Sequence, residues 1–201
     1  MFISEKEIYL LRHGDTGRQG CYIGSTDIPL SATGLQQVQN TAKLLRQKKI
    51  DRIFCSPMLR CRQTWEQLAL QAPCQTHTLL KEVDFGRWEE KCFAEIAESD
   101  AEAVAAWAED PLHFCFPGGE AMTDFHSRIA AIMQLLGEDE SQHILLVTHG
   151  GIIRHLLCLC LGISTKKYLA FDVQPGCYSS LKLYAGGGVL TGMNIRGLEN
   201  G

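Results

Sequence analysis

Short apolar runs punctuate the chain at Ile8–Leu11, Arg52–Cys55 and Ile144–Val147, each of a length that predicts a buried strand. Between them the apolar positions follow a helical period. In SATGLQQVQNTAKLLRQKK, residues 31–49, Leu35, Val38, Ala42 and Leu45 share one face, with Ser31 or Thr33 as the cap. A helix follows Ser56-Pro57 through Leu59, Trp65 and Leu68. Residues 75–80 read as a third strand, and Ala94 to Ala108 as one helix rich in alanine and glutamate. Pro117-Gly118-Gly119 marks a turn. Met122, Phe125, Ile129, Ile132 and Leu136 form a strong helical stripe that Gly137 is expected to close. Ile152–Leu161 reads as a further helix, and the tail as two strands, 178–184 and 189–195, joined by Gly186-Gly187-Gly188. Strands alternating with helices predict an α/β fold, a three-layer α/β/α sandwich around a mostly parallel central sheet.

Composition narrows this picture. A chain of 201 residues suits a single domain over 1–201, since one domain takes ~100–200 residues. Its 45% hydrophobic and 21% charged residues are those of an ordinary globular protein. A net charge of -4 gives no bias toward polyanions and argues against a nucleic-acid partner. The nine cysteines do not read as a disulfide framework. Their number is odd, Cys55, Cys158 and Cys160 sit inside apolar runs, and there is no CxxC pair to suggest zinc. MFISEKEIYLL lacks the basic start and long apolar run of a secretory signal. The expectation is a reduced, cytoplasmic chain, with no apolar run of the ~18 residues that would span a membrane.

The candidate chemistry lies at strand ends, where open α/β sheets bind ligands. Three clusters sit there: Arg12-His13-Gly14, Ser56 to Arg60, and Thr148-His149-Gly150-Gly151. Two histidines and two arginines suit a phosphate: guanidinium forks hold its oxygens, and helix N-termini after Gly14, Pro57 and Gly151 add N–H donors. A neutral imidazole can attack phosphorus if its other ring nitrogen is held, often by a backbone carbonyl. The leaving alkoxide needs an acid, and EVDFGRWEE offers Glu82, Asp84, Glu89 and Glu90.

Taken singly, these residues have blander readings. An isolated His149 would be a core histidine, an isolated Arg60 a solvated helix residue, and an isolated Glu82 surface charge. Trp65, Trp88 and Trp107 read as core rather than as a substrate platform, and His77, His113, His126, His143 and His155 as surface or packing. The pattern as a whole carries the chemical reading.

That pattern resembles the histidine phosphatase superfamily, the phosphoglycerate-mutase-like fold. LLRHGDT resembles its hallmark at the first strand, and TDIPLSATG the approach to its first long helix. FCSPMLRCRQT resembles the motif whose arginine holds phosphate, and KEVDFGRWEE the acid-bearing segment. FPGGEAMTDF and LLVTHGGIIR resemble the later helix start and the second-histidine motif. FDVQPGCYSSLKLY, VDFGRWEEKCFAEI and AAWAEDP resemble the alpha-ribazole phosphatase branch, whose members remove a phosphate during assembly of the cobalamin nucleotide loop.

The resemblance implies His13 as the phosphorylated nucleophile, and Arg12, Arg60, His149 and a backbone donor at Gly150 as the phosphate pocket. His149, once protonated, would stabilise the transition state. Glu82 would protonate the leaving oxygen and then take a proton from water. It implies no metal and no cofactor, a small phosphate monoester as the one ligand, and a monomer or homodimer with no membrane partner. The alternatives are a broad-specificity or sugar phosphatase of the same superfamily, a mutase, and an inactive protein that binds phosphorylated ligands. A mutase needs extra lid sequence that this chain has little room for. Two departures bear on substrate choice: Asp15 stands where Glu or Gln is usual, and Gln19 where Asn is common, in a loop shortened before Gly24.

Overall fold

The computed structural model describes residues 5–197. Six strands, β1 (Lys6–Arg12), β2 (Arg52–Cys55), β3 (Cys74–Thr76), β4 (His143–Thr148), β5 (Tyr178–Tyr184) and β6 (Gly187–Ile195), form one sheet in the order β3-β2-β4-β1-β5-β6. The first four are mutually parallel, and β5 and β6 add an antiparallel hairpin beyond β1.

Both faces of the sheet are covered, because the central strands are apolar on both sides. Ile8, Leu10, Ile144 and Leu146 face one core, with the stripes of α5 (Met122–Glu138) and α6 (Gly150–Cys160). Tyr9, Leu11, Leu145 and Val147 face the other, against α1 (Ala32–Leu45) and α2 (Leu59–Leu68). This is the expected three-layer sandwich. Ser31 caps α1, its hydroxyl accepting from the Gly34 N–H at 3.0 Å. Cys55, Cys61, Cys158, Cys160 and Cys177 are buried. No helix among the described residues is long and apolar enough to cross a membrane.

Four boundaries differ from the sequence expectation. The helix expected over 94–108 is two helices, α3 (Phe93–Ser99) and α4 (Ala101–Glu109). Asp100 breaks it, with φ -146° and ψ 43°, because its carboxylate accepts from Trp88 Nε1 at 2.9 Å and Arg87 Nη2 at 3.1 Å. An aspartate with such partners favours a cap over a helix interior. Gly137 does not close α5, which runs on to Glu138. The exit falls at Asp139, whose carboxylate accepts from the Ser141 N–H at 2.8 Å and pairs with Arg52 at 3.2 Å. The third strand stops at Thr76, where the His77 ring accepts from the Leu79 N–H and starts a 3₁₀ turn over Thr78–Leu80. Gly187 and Gly188 belong to β6 rather than to the connection before it.

After β1 the chain crosses the first turn of α1 at backbone contact. A Cβ on Gly14 would collide with the Gly34 carbonyl and reach Val38 at 2.9 Å. Gly14→Ala should therefore cost about 1–3 kcal/mol through overpacking, read as a lower urea midpoint at unchanged slope.

Candidate active site

The register of β1 on β4 pairs Arg12 with Thr148, so the next residue of each strand is a histidine. The His13 N–H donates to the Thr148 carbonyl at 3.0 Å, and the His13 and His149 rings lie 5.1 Å apart. His13 Nδ1 sits 2.8 Å from the Gly14 carbonyl. A carbonyl only accepts, so Nδ1 carries the proton and Nε2 keeps its lone pair. Burial, then the charges of Arg12 and Arg60, push the His13 imidazole well below its usual range and keep it neutral.

His149 lies behind His13, fully buried. Arg60 Nε donates to its Nδ1 at 3.3 Å, so the proton is on Nε2, which donates to the Ser56 hydroxyl at 2.9 Å. Burial, followed by Arg60, holds this ring neutral as well. Arg60 is also fully buried and donates to the carbonyls of Thr26 (2.9 Å) and Gly24 (2.8 Å). The N–H groups of that loop are held from the opposite side by Glu89, which accepts from Gly24, Ser25 and Thr26 at 2.9–3.1 Å and from the Thr26 hydroxyl at 2.6 Å. Glu89 is therefore a loop clamp.

A cavity of about 330 Å³ opens beside His13, its polar wall including Arg12, Thr16, Arg18, Glu82, Arg154 and the backbone at Gly150 and Gly151. Arg12 donates through Nη1 to the Val173 carbonyl at 2.6 Å, while its Nε–H is buried without a partner among the described residues. Arg154 Nε donates to the Phe171 carbonyl at 2.9 Å. The segment 171–173 thus orients two guanidinium groups. Glu82 Oε2 accepts from the Gly151 N–H at 2.9 Å, in the first turn of α6. Of the four candidate acids it is the one in this wall. Asp84 instead accepts from the Ser25 hydroxyl and the Gly86 N–H, both at 2.9 Å, and Glu90 is exposed at φ 64°. A guanidinium with a buried Nε–H, a helix N-terminus and a neutral imidazole lie around one space, a combination suited to a phosphate ester.

The histidine phosphatase superfamily (branch 1) sequence model matches residues 8–196. The chain belongs to this superfamily. It is 32% identical to the adenosylcobalamin/alpha-ribazole phosphatase of Escherichia coli (strain K12), over 96% of this chain and 98% of that one. It is 25% identical to phosphoserine phosphatase 1 of Hydrogenobacter thermophilus, over 94% and 92%. The solved alpha-ribazole phosphatase of Shigella flexneri superposes with a TM-score of 0.86 at 30% identity, over 96% of this chain and all of that one. The chain is accordingly a phosphatase, a hydrolase of phosphate esters.

In this histidine phosphatase the sequence-expected residues divide into two groups. His13, Arg12, Glu82 and Gly150 line the cavity, whereas Arg60 and His149 stand behind it, engaged by protein partners. Asp15 is buried and ties the loop together, accepting from the Gly17 N–H at 2.8 Å and the Ser31 hydroxyl at 2.7 Å. Gln19 is exposed and outside the cavity wall. Sequence reasoning missed Arg154, Trp107, Tyr168 and His155, all in that wall. Trp107 packs against the core as expected, edge-on to the fully buried Trp88 at 6.2 Å, and it also borders the cavity. Arg154 and His155 carry a legible signal, lying four residues after Gly150 and Gly151 and so on their faces of α6.

His13, His149 and His155 all titrate lower in the fold, His155 down to about 4. An unfolded chain takes up these protons near pH 6.5. Below that pH the unfolded state binds more protons, so stability falls by up to about 1.4 kcal/mol per pH unit for each histidine. Urea unfolding at pH 7 and pH 5 should show this loss, with His155→Gln reducing the slope by one histidine's share.

Proposed function

We propose that this phosphatase works through a phosphohistidine on His13 and that its substrate is α-ribazole 5′-phosphate, a step in assembling the cobalamin nucleotide loop. The observation that carries the mechanism is the His13 Nδ1–H bond to the Gly14 carbonyl, which leaves Nε2 unprotonated beside a buried Arg12 Nε–H that has no partner among the described residues. His13 Nε2 attacks phosphorus and forms the P–N bond as the P–O bond to the alcohol breaks. Glu82, in its acid form, gives its proton to the leaving oxygen. The phosphorylated ring keeps its Nδ1 proton and is cationic, a form that the Gly14 carbonyl stabilises. Water then attacks phosphorus, the Glu82 carboxylate takes its proton, and the P–N bond breaks to return neutral His13.

Arg12 Nε and the start of α6 at Gly150 hold the phosphoryl oxygens. Arg60 adds its charge from behind, within the range at which it depresses the His13 pKa. His149, neutral and held between Arg60 and Ser56, orients the Arg60 guanidinium from behind. Preorganised charge of this kind is usually the largest catalytic term. The substrate reading is supported by the E. coli relative, matched over nearly the whole of both chains. The phosphoserine phosphatase relative favours a second reading, a phosphatase of the same mechanism with another ester as substrate.

Phosphate release in EDTA from α-ribazole 5′-phosphate, phosphosugars, phosphoglycerates and phosphoserine tests both readings. Strong preference for the ribazole ester is expected; an even spread, or preference for phosphoserine, would leave the mechanism and remove the substrate. His13→Ala should abolish both turnover and ³²P-labelled phosphoenzyme. Glu82→Gln should slow poor alkoxide leaving groups by about 10²-fold or more and p-nitrophenyl phosphate much less. An unchanged rate on an alkyl phosphate would overturn the Glu82 role.

A further inference from the structure

The cavity is larger than a phosphoryl group requires. His13, Arg12, Glu82 and the start of α6 account for its phosphate end, and the rest of the wall is dominated by apolar and aromatic side chains. Trp107 of α4 and Tyr168 of the 3₁₀ segment Thr165–Ala170 belong to that region, and the neighbouring Leu169, also in the wall, is 63% exposed. We propose that Trp107 and Tyr168 are specificity-determining residues that stack a planar aromatic group on the alcohol side of the substrate. The proposal rests on the phosphatase reading of this same cavity, and not on the ribazole identification.

Three observations point this way. First, the lining is largely apolar and aromatic: Thr16 and Arg18 add polar groups, and Glu82 is its single carboxylate among the described residues. Aromatic faces are recognised by aromatic side chains of this kind. Second, Tyr168 already packs in parallel with one heterocycle: its ring stacks on His155 at 4.6 Å and 28°. His155 is 2% exposed, and its low pKa keeps it uncharged at neutral pH. Its Nδ1–H donates to the Gly151 carbonyl at 2.9 Å and its ring meets Phe125 edge-to-face at 5.0 Å, so Tyr168 is backed by a fixed surface. Third, Gly151 is shared. Its N–H fixes Glu82 and its carbonyl fixes His155, so the acid and the aromatic wall are registered to one residue. A ring stacked against that wall would bring its alcohol oxygen to the acid in a defined geometry. The exposed Leu169 is apolar surface that such a ring would cover.

Benzyl phosphate and glycerol 3-phosphate provide the test. Both leave as alkoxides, so the ratio of their kcat/KM values reads recognition of the ring and not leaving-group strength. Trp107→Leu and Tyr168→Leu should each lower the benzyl-to-glycerol ratio about fivefold, chiefly through KM for benzyl phosphate, and Trp107→Phe should restore most of it. An unchanged ratio, with both substrates falling together, would make these residues merely structural and overturn the proposal. If the ratio falls while wild-type enzyme shows no preference for α-ribazole 5′-phosphate, the substrate reading fails and the stacking site stands.

Discussion

The site depends on the register of β1 against β4. Parallel pairing of Arg12 with Thr148 makes the next residue of each strand a histidine, and it also sets the two rings in edge contact. The cores enforce that register from both faces. A slip of one residue would turn Ile8 and Leu10 toward the wrong layer and Tyr9 and Leu11 toward the other, moving every side chain to the face built for its neighbour. The histidine pair is therefore positioned by apolar residues of β1 and β4 that face the two cores. The loop beyond β1 inherits the constraint, since Gly14 must lie on α1 for the His13 ring to find the Gly14 carbonyl.

A second constraint is electrostatic. The protein is acidic overall, yet Arg12 and Arg60 flank two neutral imidazoles, with Arg154 beside Arg12. Burying such cations would be costly if they were bare. Backbone carbonyls carry much of the compensation: Val173 for Arg12, Phe171 for Arg154, Gly24 and Thr26 for Arg60. Carbonyl dipoles satisfy guanidinium hydrogens without cancelling the charge, which carboxylate partners would do. The charge is therefore not cancelled, and burial together with its field keeps His13 deprotonated.

Much of this was legible in the sequence because it is written in local terms. Apolar runs gave the central strands, a 3–4 spacing gave α1 and α5, and the residues following those strands marked the site. The failures are positions where a distant partner decides. Asp100 looks like a helix residue until Trp88 and Arg87 reach its carboxylate. Gly137 looks like a stop, but Asp139 sets the exit. Among the four acids of EVDFGRWEE, no spacing separates Glu82 from the loop clamp Glu89; what separates them is that α6 begins beside one and the 24–26 loop lies over the other. Tyr168 sits in a short 3₁₀ segment with no periodicity to read, and only the packing of α6 reveals its place.

The glycine pair at the start of α6 shows why small residues fall where chemistry is dense. A Cβ on Gly151 would strike the Glu82 carboxylate, and a Cβ on Gly150 would crowd Arg154 at 3.1 Å. Neither glycine has positive φ, so what distinguishes these positions is the close approach of the Glu82 and Arg154 side-chain ends and not the backbone angles. The absent side chains let a carboxylate and a guanidinium approach the first helical turn, one on a backbone N–H and one beside it. Four residues on, the same faces present Arg154 and His155. A single turn of helix thereby sets the spacing between the Glu82 carboxylate, Arg154 and the His155 ring. That spacing is fixed by helix geometry, so under the proposed mechanism and stacking site the span from phosphate to ring would be part of what the enzyme selects.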